Sequence, residues 1–184
     1  MAKLIEPVTE RLQLRQWRDS DRAPFADINA DPRVMEYFPS TLTRAGSDAG
    51  IDRQIAHIEQ HGWGFWAVER LEDMAFMGFV GLKHTPGELP FSPAVEIGWR
   101  LDAPYWGYGY ATEAARASLA VAFEQLGLEQ VVSYTALTNQ PSRAVMERLG
   151  MCRAPETFEH PLVPEGSALR RHCLYRITAG QWRR

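Results

Sequence analysis

Residues 94–115 read Ala94-Val-Glu-Ile-Gly-Trp-Arg-Leu-Asp-Ala-Pro-Tyr-Trp-Gly-Tyr-Gly-Tyr-Ala-Thr-Glu-Ala115, an alternating apolar strand followed by an Asp-Ala-Pro turn, a glycine-rich loop and an alanine-rich helix. The helix carries Ala111, Ala115, Leu119, Ala122 and Phe123 on one stripe and ends near Gly127, and the β-branched and aromatic run Val131-Val-Ser-Tyr-Thr135 comes next. Strand, helix, strand in that order implies a crossover between parallel neighbours. The junction before the helix is also a place to hold phosphate. The first helical turn leaves backbone N–H groups without intrahelical partners, and the helix dipole adds partial positive charge there. Gly107 and Gly109 lack side chains that would keep a pyrophosphate away from those donors.

The loop is neither a Walker loop, which ends in Gly-Lys-Ser/Thr, nor a dinucleotide fingerprint, which needs a third glycine or alanine two residues on and a later acidic residue. A second segment, Thr138-Asn-Gln-Pro-Ser-Arg-Ala-Val-Met-Glu-Arg-Leu-Gly-Met151, reads as a short helix with Pro141 in its first turn and Gly150 as its stop. Asn139 suits the N-cap of that helix.

Together the two segments resemble the GCN5-related N-acetyltransferases. Trp106-Gly-Tyr-Gly-Tyr-Ala111 is similar to that family's acyl-coenzyme A loop, Gln/Arg-x-x-Gly-x-Gly/Ala, with Gly109 and Ala111 on its last two fixed positions. Trp106 stands where Gln or Arg is usual, a departure that resembles the branch containing the Rim-type ribosomal-protein N-terminal acetyltransferases. Asn-x-x-Ser followed by Leu-Gly-Met resembles the family's cofactor-side motif. The resemblance extends from Thr9-Glu-Arg-Leu-Gln-Leu-Arg15 to the end of the chain and is most specific between residues 94 and 151. It implies an α/β (α+β) fold: a mixed, mostly antiparallel sheet flanked by helices, with a splayed parallel strand pair at the cofactor site. It implies acetyl-CoA as cofactor, held by Trp106, Gly107, Tyr108, Gly109, Tyr110, Ala111 and Thr112. The backbone of Trp99, Arg100 and Leu101 would contact the acetyl and pantetheine portion, with the Trp99 indole left in the core. The Asn139 amide would bond the pantetheine arm, with Ser142 beside it.

Elsewhere the pattern alternates helix and strand without repeats. Leu12-Gln-Leu reads as a strand, Asp19 opens a helix through Ile28, and Asp31-Pro32 breaks it before a turn from Arg33 to Tyr37. Ile51, Ile55 and Ile58 mark the buried face of a helix stopping at Gly62; residues 65–70 and 76–84 form a hairpin; Phe158 and residues 171–177 bracket a last one. With 184 residues and 45% hydrophobic content the expectation is one domain, 1–184. A net charge of -3 and no long basic block argue against a nucleic-acid surface. Neither cysteine, Cys152 or Cys173, sits in a metal-ligand spacing, so no metal is expected. No stretch approaches the ~20 apolar residues of a membrane span. The expectation is a cytoplasmic protein with free thiols and no membrane partner; a homodimer stays open.

The chemistry implied is transfer of acetyl from acetyl-CoA to a primary amine by direct attack in a ternary complex. The amine must lose a proton, because lysine-like amines have pKa near ~10.4 and α-amines near ~8, whereas a thiolate leaving group (thiol pKa about 8.5) needs little acid help. Glu96 is the candidate base, since a lone carboxylate in a buried strand needs a partner or a wet cavity. Arg100 lies about 13 Å along the strand, too far to be that partner. The other reading is a structural Glu bonded to the neighbouring strand, with His84 or Lys83. Ser142 is the candidate acid, or a plain first-turn serine; Met146 occupies the place where many of the family carry a Tyr acid. Glu113 needs only a helix-dipole role, and Arg148 either reaches the cofactor phosphates or solvates a helix end. Tyr37, Phe38, Trp63, Phe65 and Trp66 are candidates to line the acceptor mouth. The acceptor is an amine substrate, small molecule or protein N-terminus. Two other classes remain: a non-catalytic acyl-CoA-binding protein and a nucleotide-binding module.

Overall fold

A computed structural model describes residues 2–183. β1 (Leu12–Arg15), β2 (Phe65–Arg70), β3 (Phe76–His84), β4 (Val95–Leu101), β5 (Gln130–Ala136), β6 (Cys152–Glu159) and β7 (Arg171–Thr178) form one seven-stranded sheet in the order β1-β2-β3-β4-β5-β7-β6. Every neighbouring pair is antiparallel except β4 and β5, which are parallel and share a single rung, Glu96 opposite Val132. By comparison, β3 and β4 match over seven rungs from Gly78–Leu101 to His84–Val95. The crossover expected around residue 115 is therefore present, and its strands diverge beyond that rung.

The helices are α1 (Arg22–Ala30), α2 (Arg44–His61), α3 (Tyr110–Ala120), α4 (Gln140–Arg148) and the short α5 (Ala179–Trp182). Thr43 caps α2 by accepting from Gly46 N, and Gly62 ends it in the left-handed conformation (φ 81°), the stop expected there. Ile51 and Ile58 are buried beneath α2, with Ile55 packed at the edge. Ala114, Ala115 and Leu119 are fully buried on α3, whose small side chains let the helix lie close to β3 and β4. α3 continues through a π turn, Val121–Gln125, in which Leu126 N bonds Val121 O, before the chain turns at Gly127.

β2 lacks the alternation of a one-sided strand because both its faces are covered; Trp66, Ala67 and Val68 are fully buried. Trp66 donates its indole N–H to Ile5 O, and Trp63 is also buried, so both belong to the core and not to the acceptor mouth. β6 begins at Cys152, well before Phe158. The register shifts between Arg153 and Thr157, around Pro155, which lacks an N–H for the ladder and breaks the strand pattern.

An ionic cluster ties β1 and β2 to the turn before α1. Arg15 is 3% exposed; its guanidinium bonds both oxygens of Asp21 (2.8 and 3.0 Å) and Glu69 Oε2 (2.9 Å). Arg18 adds a second contact to Glu69 Oε2 at 3.0 Å. Burial works against the Arg15 charge, yet the two carboxylates hold its pKa above the ordinary value. Among the described residues no helix is long and apolar enough to cross a membrane.

Candidate active site

Where β4 and β5 part, a cavity of about 1200 Å³ opens, walled by both strands and by the starts of α3 and α4. At one end lies the glycine loop. Gly107 and Gly109 have φ of 82° and 80°, a conformation that side chains oppose, and nothing stands within 4 Å of where a Gly107 Cβ would be. Gly109 is the N-cap of α3 and no side chain caps the helix there. Its first intrahelical bond runs from Glu113 N to Gly109 O, which leaves the N–H groups of Tyr110, Ala111 and Thr112 without helical acceptors beside the cavity. Glu113 does more than complement the dipole. Its carboxylate accepts from Thr9 Oγ1 (2.6 Å) and Arg11 N (3.0 Å) and pairs with the Arg11 guanidinium (2.6 Å), which itself lies over the Tyr110 ring, so the segment before β1 fastens this turn in place.

Of the loop residues expected at the cofactor, Trp106, Gly107, Gly109, Tyr110, Ala111 and Thr112 line the cavity. Trp106 anchors by donating its indole N–H to Leu101 O at 2.9 Å. Tyr108 does not line the cavity: its ring projects outward, 63% exposed, because the left-handed glycines on either side turn the intervening residue toward solvent. Arg116 and Arg148, both exposed, stand at the rim nearby; Arg116 donates to Arg148 O and so also satisfies the end of α4.

On the α4 side Asn139 takes the N-cap role: its Oδ1 accepts from Ser142 N (3.2 Å) while its Nδ2 donates to Thr135 Oγ1 (2.9 Å). One further N–H of the amide is left for another acceptor. The Ser142 hydroxyl accepts from Trp99 Nε1 at 3.3 Å, and its proton is free to be donated. Trp99, expected as a core indole, is therefore half-buried and tied to α4 across the splayed pair. Met146 is buried at the back of α4.

Glu96 lies on the β4 wall beside the single rung. Its partner is neither His84 nor Lys83. Tyr134, on β5, donates its hydroxyl to Glu96 Oε2 at 2.5 Å, a contact that exists only because the parallel register sets these strands side by side. Burial pushes the Glu96 pKa up to about 7, against the opposing pull of the Tyr134 hydroxyl and the Lys83 charge. Burial, with the adjacent carboxylate, also raises Tyr134, which remains a neutral donor.

Further along the same face Arg100 reaches into the cavity. Sequence reasoning assigned this residue a backbone contact only. Its Nη1 donates to Asn29 Oδ1 (2.8 Å), Asn29 is held by Ser47 Oγ (2.9 Å), and the guanidinium lies 4.3 Å over the Phe38 ring. Arg100 Nε is buried without a hydrogen-bond partner, no carboxylate among the described residues pairs with the side chain, and burial lowers its pKa to about 10. Tyr37, Phe38 and Phe65 line this region with Phe79. The far wall holds His160 and His172, from the β6–β7 hairpin, which sequence reasoning did not find.

The cavity suits a long, polar, phosphate-bearing ligand: open glycines and free N–H groups at one end, diverging strand edges along its length, two cations at the rim. The profile described as an acetyltransferase (GNAT) domain matches residues 11–152. The chain belongs to the GNAT acetyltransferase family. It is 37% identical over 189 aligned positions to an Aspergillus fumigatus protein named FsC-acetyl coenzyme A-N(2)-transacetylase, spanning 96% of this chain and 77% of that one. A GNAT-family acetyltransferase from Bacillus anthracis superposes with a TM-score of 0.79 at 25% identity, covering 96% of this chain and 99% of that one. Mycobacterium smegmatis RimJ, solved in complex with CoA-disulfide, has a TM-score of 0.71 at 24% identity, covering 92% and 83%. The Rim-type likeness is thus one of fold. A mixed sheet with a parallel pair is what the strand and helix pattern implies, and the GNAT sheet is what the family resemblance implies.

Proposed function

We propose that the protein is an acetyl-CoA-dependent N-acetyltransferase acting on a primary amine, and that the observation carrying this is one cavity joining an uncapped helix start to a half-buried carboxyl with pKa about 7. Acetyl-CoA, when bound, supplies the thioester whose carbonyl the amine attacks, and it leaves as the thiol. Gly107, Gly109 and the N–H groups of Tyr110, Ala111 and Thr112 hold the pyrophosphate, with Arg116 and Arg148 adding charge at the rim. The strand edges of Trp99, Arg100 and Leu101 pair with the amide-bearing arm, assisted by the free N–H of Asn139.

Glu96 takes the proton from the amine as the C–N bond forms. A base whose pKa lies near neutrality is ionised often enough to act and still basic enough to accept. Tyr134 holds the carboxyl in place through its hydroxyl. Ser142, oriented by Trp99, donates a hydrogen bond to the departing sulfur, which takes its proton from solvent.

The acceptor side carries a cation with a spare N–H and no ion-pair partner among the described residues. Such a site repels polyamines and favours an amine that bears a carbonyl or carboxylate oxygen close by, as in a peptide N-terminus or an amino-acid-like molecule. The relatives' names point to different acceptors, one an N(2) position and another the alanine of ribosomal protein S5, so the acceptor is read from Arg100 and not from them.

The test is thiol release from acetyl-CoA across a panel of polyamines, amino acids and peptides. Turnover with peptides or amino acids and none with polyamines is the expected result. Saturable acetyl-CoA binding with no turnover on any amine would replace the enzyme by a non-catalytic acyl-CoA-binding protein. No binding, and no rise in Tm at saturating acetyl-CoA, would remove the cofactor assignment.

A further inference from the structure

Of the five histidines in the chain, His57, His61 and His84 come together outside the reaction cavity. The first two stand one turn apart on the last turns of α2, hence on one helix face. His84 is the last residue of β3, in register with Val95, one rung beyond Lys83–Glu96. Sequence reasoning looked for ligand spacing at the cysteines and expected no metal; the third ligand here comes from a strand distant in sequence.

The three side chains each offer a ring nitrogen, all within 4.8 Å of one another. His57 Nε2 and His84 Nδ1 are 3.3 Å apart. Two nitrogens each about 2.0–2.1 Å from a tetrahedrally bound zinc ion are separated by roughly that distance. The orientation of His57 is set from behind. Its Nδ1 lies 3.0 Å from Trp63 O, so that nitrogen carries the proton and Nε2 presents its lone pair to the other two rings. A ligating imidazole whose second nitrogen donates to a backbone carbonyl is the usual supporting arrangement of a metal site. Local sequence builds it: Gly62 turns the chain back at the end of α2, and Gly64 leaves space, since a Cβ there would stand 3.2 Å from His57 Nδ1 and 2.6 Å from Ile58 Cγ1. The Trp63 indole packs against all three imidazoles, with centroids 5.1, 5.7 and 5.0 Å away, and walls the cluster on its inner side.

We propose that His57, His61 and His84 bind one divalent transition-metal ion of the zinc type, with water completing the coordination. Three neutral nitrogens and no carboxylate suit zinc, cobalt, nickel or copper and not magnesium or calcium, which demand oxygen ligands. The ion clamps the end of α2 to the end of β3. The site does not depend on the proposed reaction, since none of its ligands lines the cavity.

The test uses the full chain without an affinity tag, stripped by chelator and titrated with Zn²⁺ by calorimetry and with Co²⁺ by visible absorption. The expected result is one equivalent bound, a raised Tm with Zn²⁺ and none with Mg²⁺, and d–d bands of nitrogen-ligated Co²⁺. His61→Gln and His84→Gln, changes at a half-buried and an exposed position that are expected to leave the circular dichroism spectrum intact, should each weaken binding about tenfold or more. His160→Gln should leave it unchanged. No binding by the parent, or stoichiometric binding that survives in the His61→Gln/His84→Gln double variant, would overturn the proposal.

Discussion

Two carboxylates withdrawn from bulk solvent on one sheet, Glu69 buried and Glu96 half-buried, have opposite surroundings. Glu69, on β2, is 2% exposed and shares one oxygen between Arg15 and Arg18. Glu96, on β4, is matched by a phenol and, among the described residues, by no cation within ion-pair distance, and its pKa rises to about 7. Both pay for leaving water, but only Glu69 recovers it in ion pairs. A charge buried with its counter-charges fastens elements together; a charge buried without them is kept ready to take up a proton.

The contrast is broken most severely at Glu96. Glu96→Gln should lower kcat by about 10²–10⁴ with acetyl-CoA affinity unchanged, and the residual rate should climb with pH toward the pKa of the amine. Steady-state kinetics and calorimetry measure both; a variant with parental rate and pH profile would make Glu96 a structural residue like Glu69.

The complementary change is Arg15→Leu. It leaves Asp21 and Glu69 buried together without the cation between them, and urea unfolding should show a loss of about 3–5 kcal/mol. The folded fraction should retain parental kcat. A stability loss below about 1 kcal/mol would mean that the cluster contributes no more than a surface pair.

Linkage sharpens the same comparison. Because the folded Glu96 holds its proton up to about pH 7 while an unfolded glutamate releases it near ~4.3, the folded state binds more protons between those values. Stability from this group is present in acid and falls as pH rises through that window, by at most roughly 4 kcal/mol in total. Glu96→Gln should therefore match the parent below about pH 4 and exceed it above pH 7. Equal stability at both ends would place the carboxyl in contact with water.

The smallest effect is expected at Ser142. Ser142→Ala removes a donor aimed at a thiolate that needs little assistance, so kcat should fall by less than about tenfold. A loss comparable to that of Glu96→Gln would make departure of the sulfur, and not proton removal, the demanding step.

The readable parts were those governed by local backbone. Gly62, Gly107, Gly109, Pro141 and Gly150 each announce a turn or helix end, and the hairpin at residues 65–84 follows from two runs around a polar turn. Side-chain partners that meet across the sheet were not readable. Tyr134 reaches Glu96 only through the crossover register, and Arg100 is aimed by Asn29 from α1. The aromatic residues misled for a different reason: Trp63 and Trp66 look suited to a mouth, but Trp66 is covered by the N-terminal segment that its indole bonds at Ile5 O, and Trp63 packs inward from the turn after α2. Gly109→Val, a natural test of the loop from sequence, is also compromised by its φ of 80°, which strains any branched residue before a ligand is considered.

The single rung between β4 and β5 has a mechanical consequence. The sheet is two slabs, β1 to β4 and β5 to β6, joined along the seam by one backbone rung and by three side-chain tethers: Ser133 to Ile97, Tyr134 to Glu96 and Trp99 to Ser142. A ligand whose arm bonds both edges would act as the missing strand and weld the slabs into one plate. Amide hydrogen exchange along the facing edges of β4 and β5 should then slow on loading far more than exchange within β3 or β7.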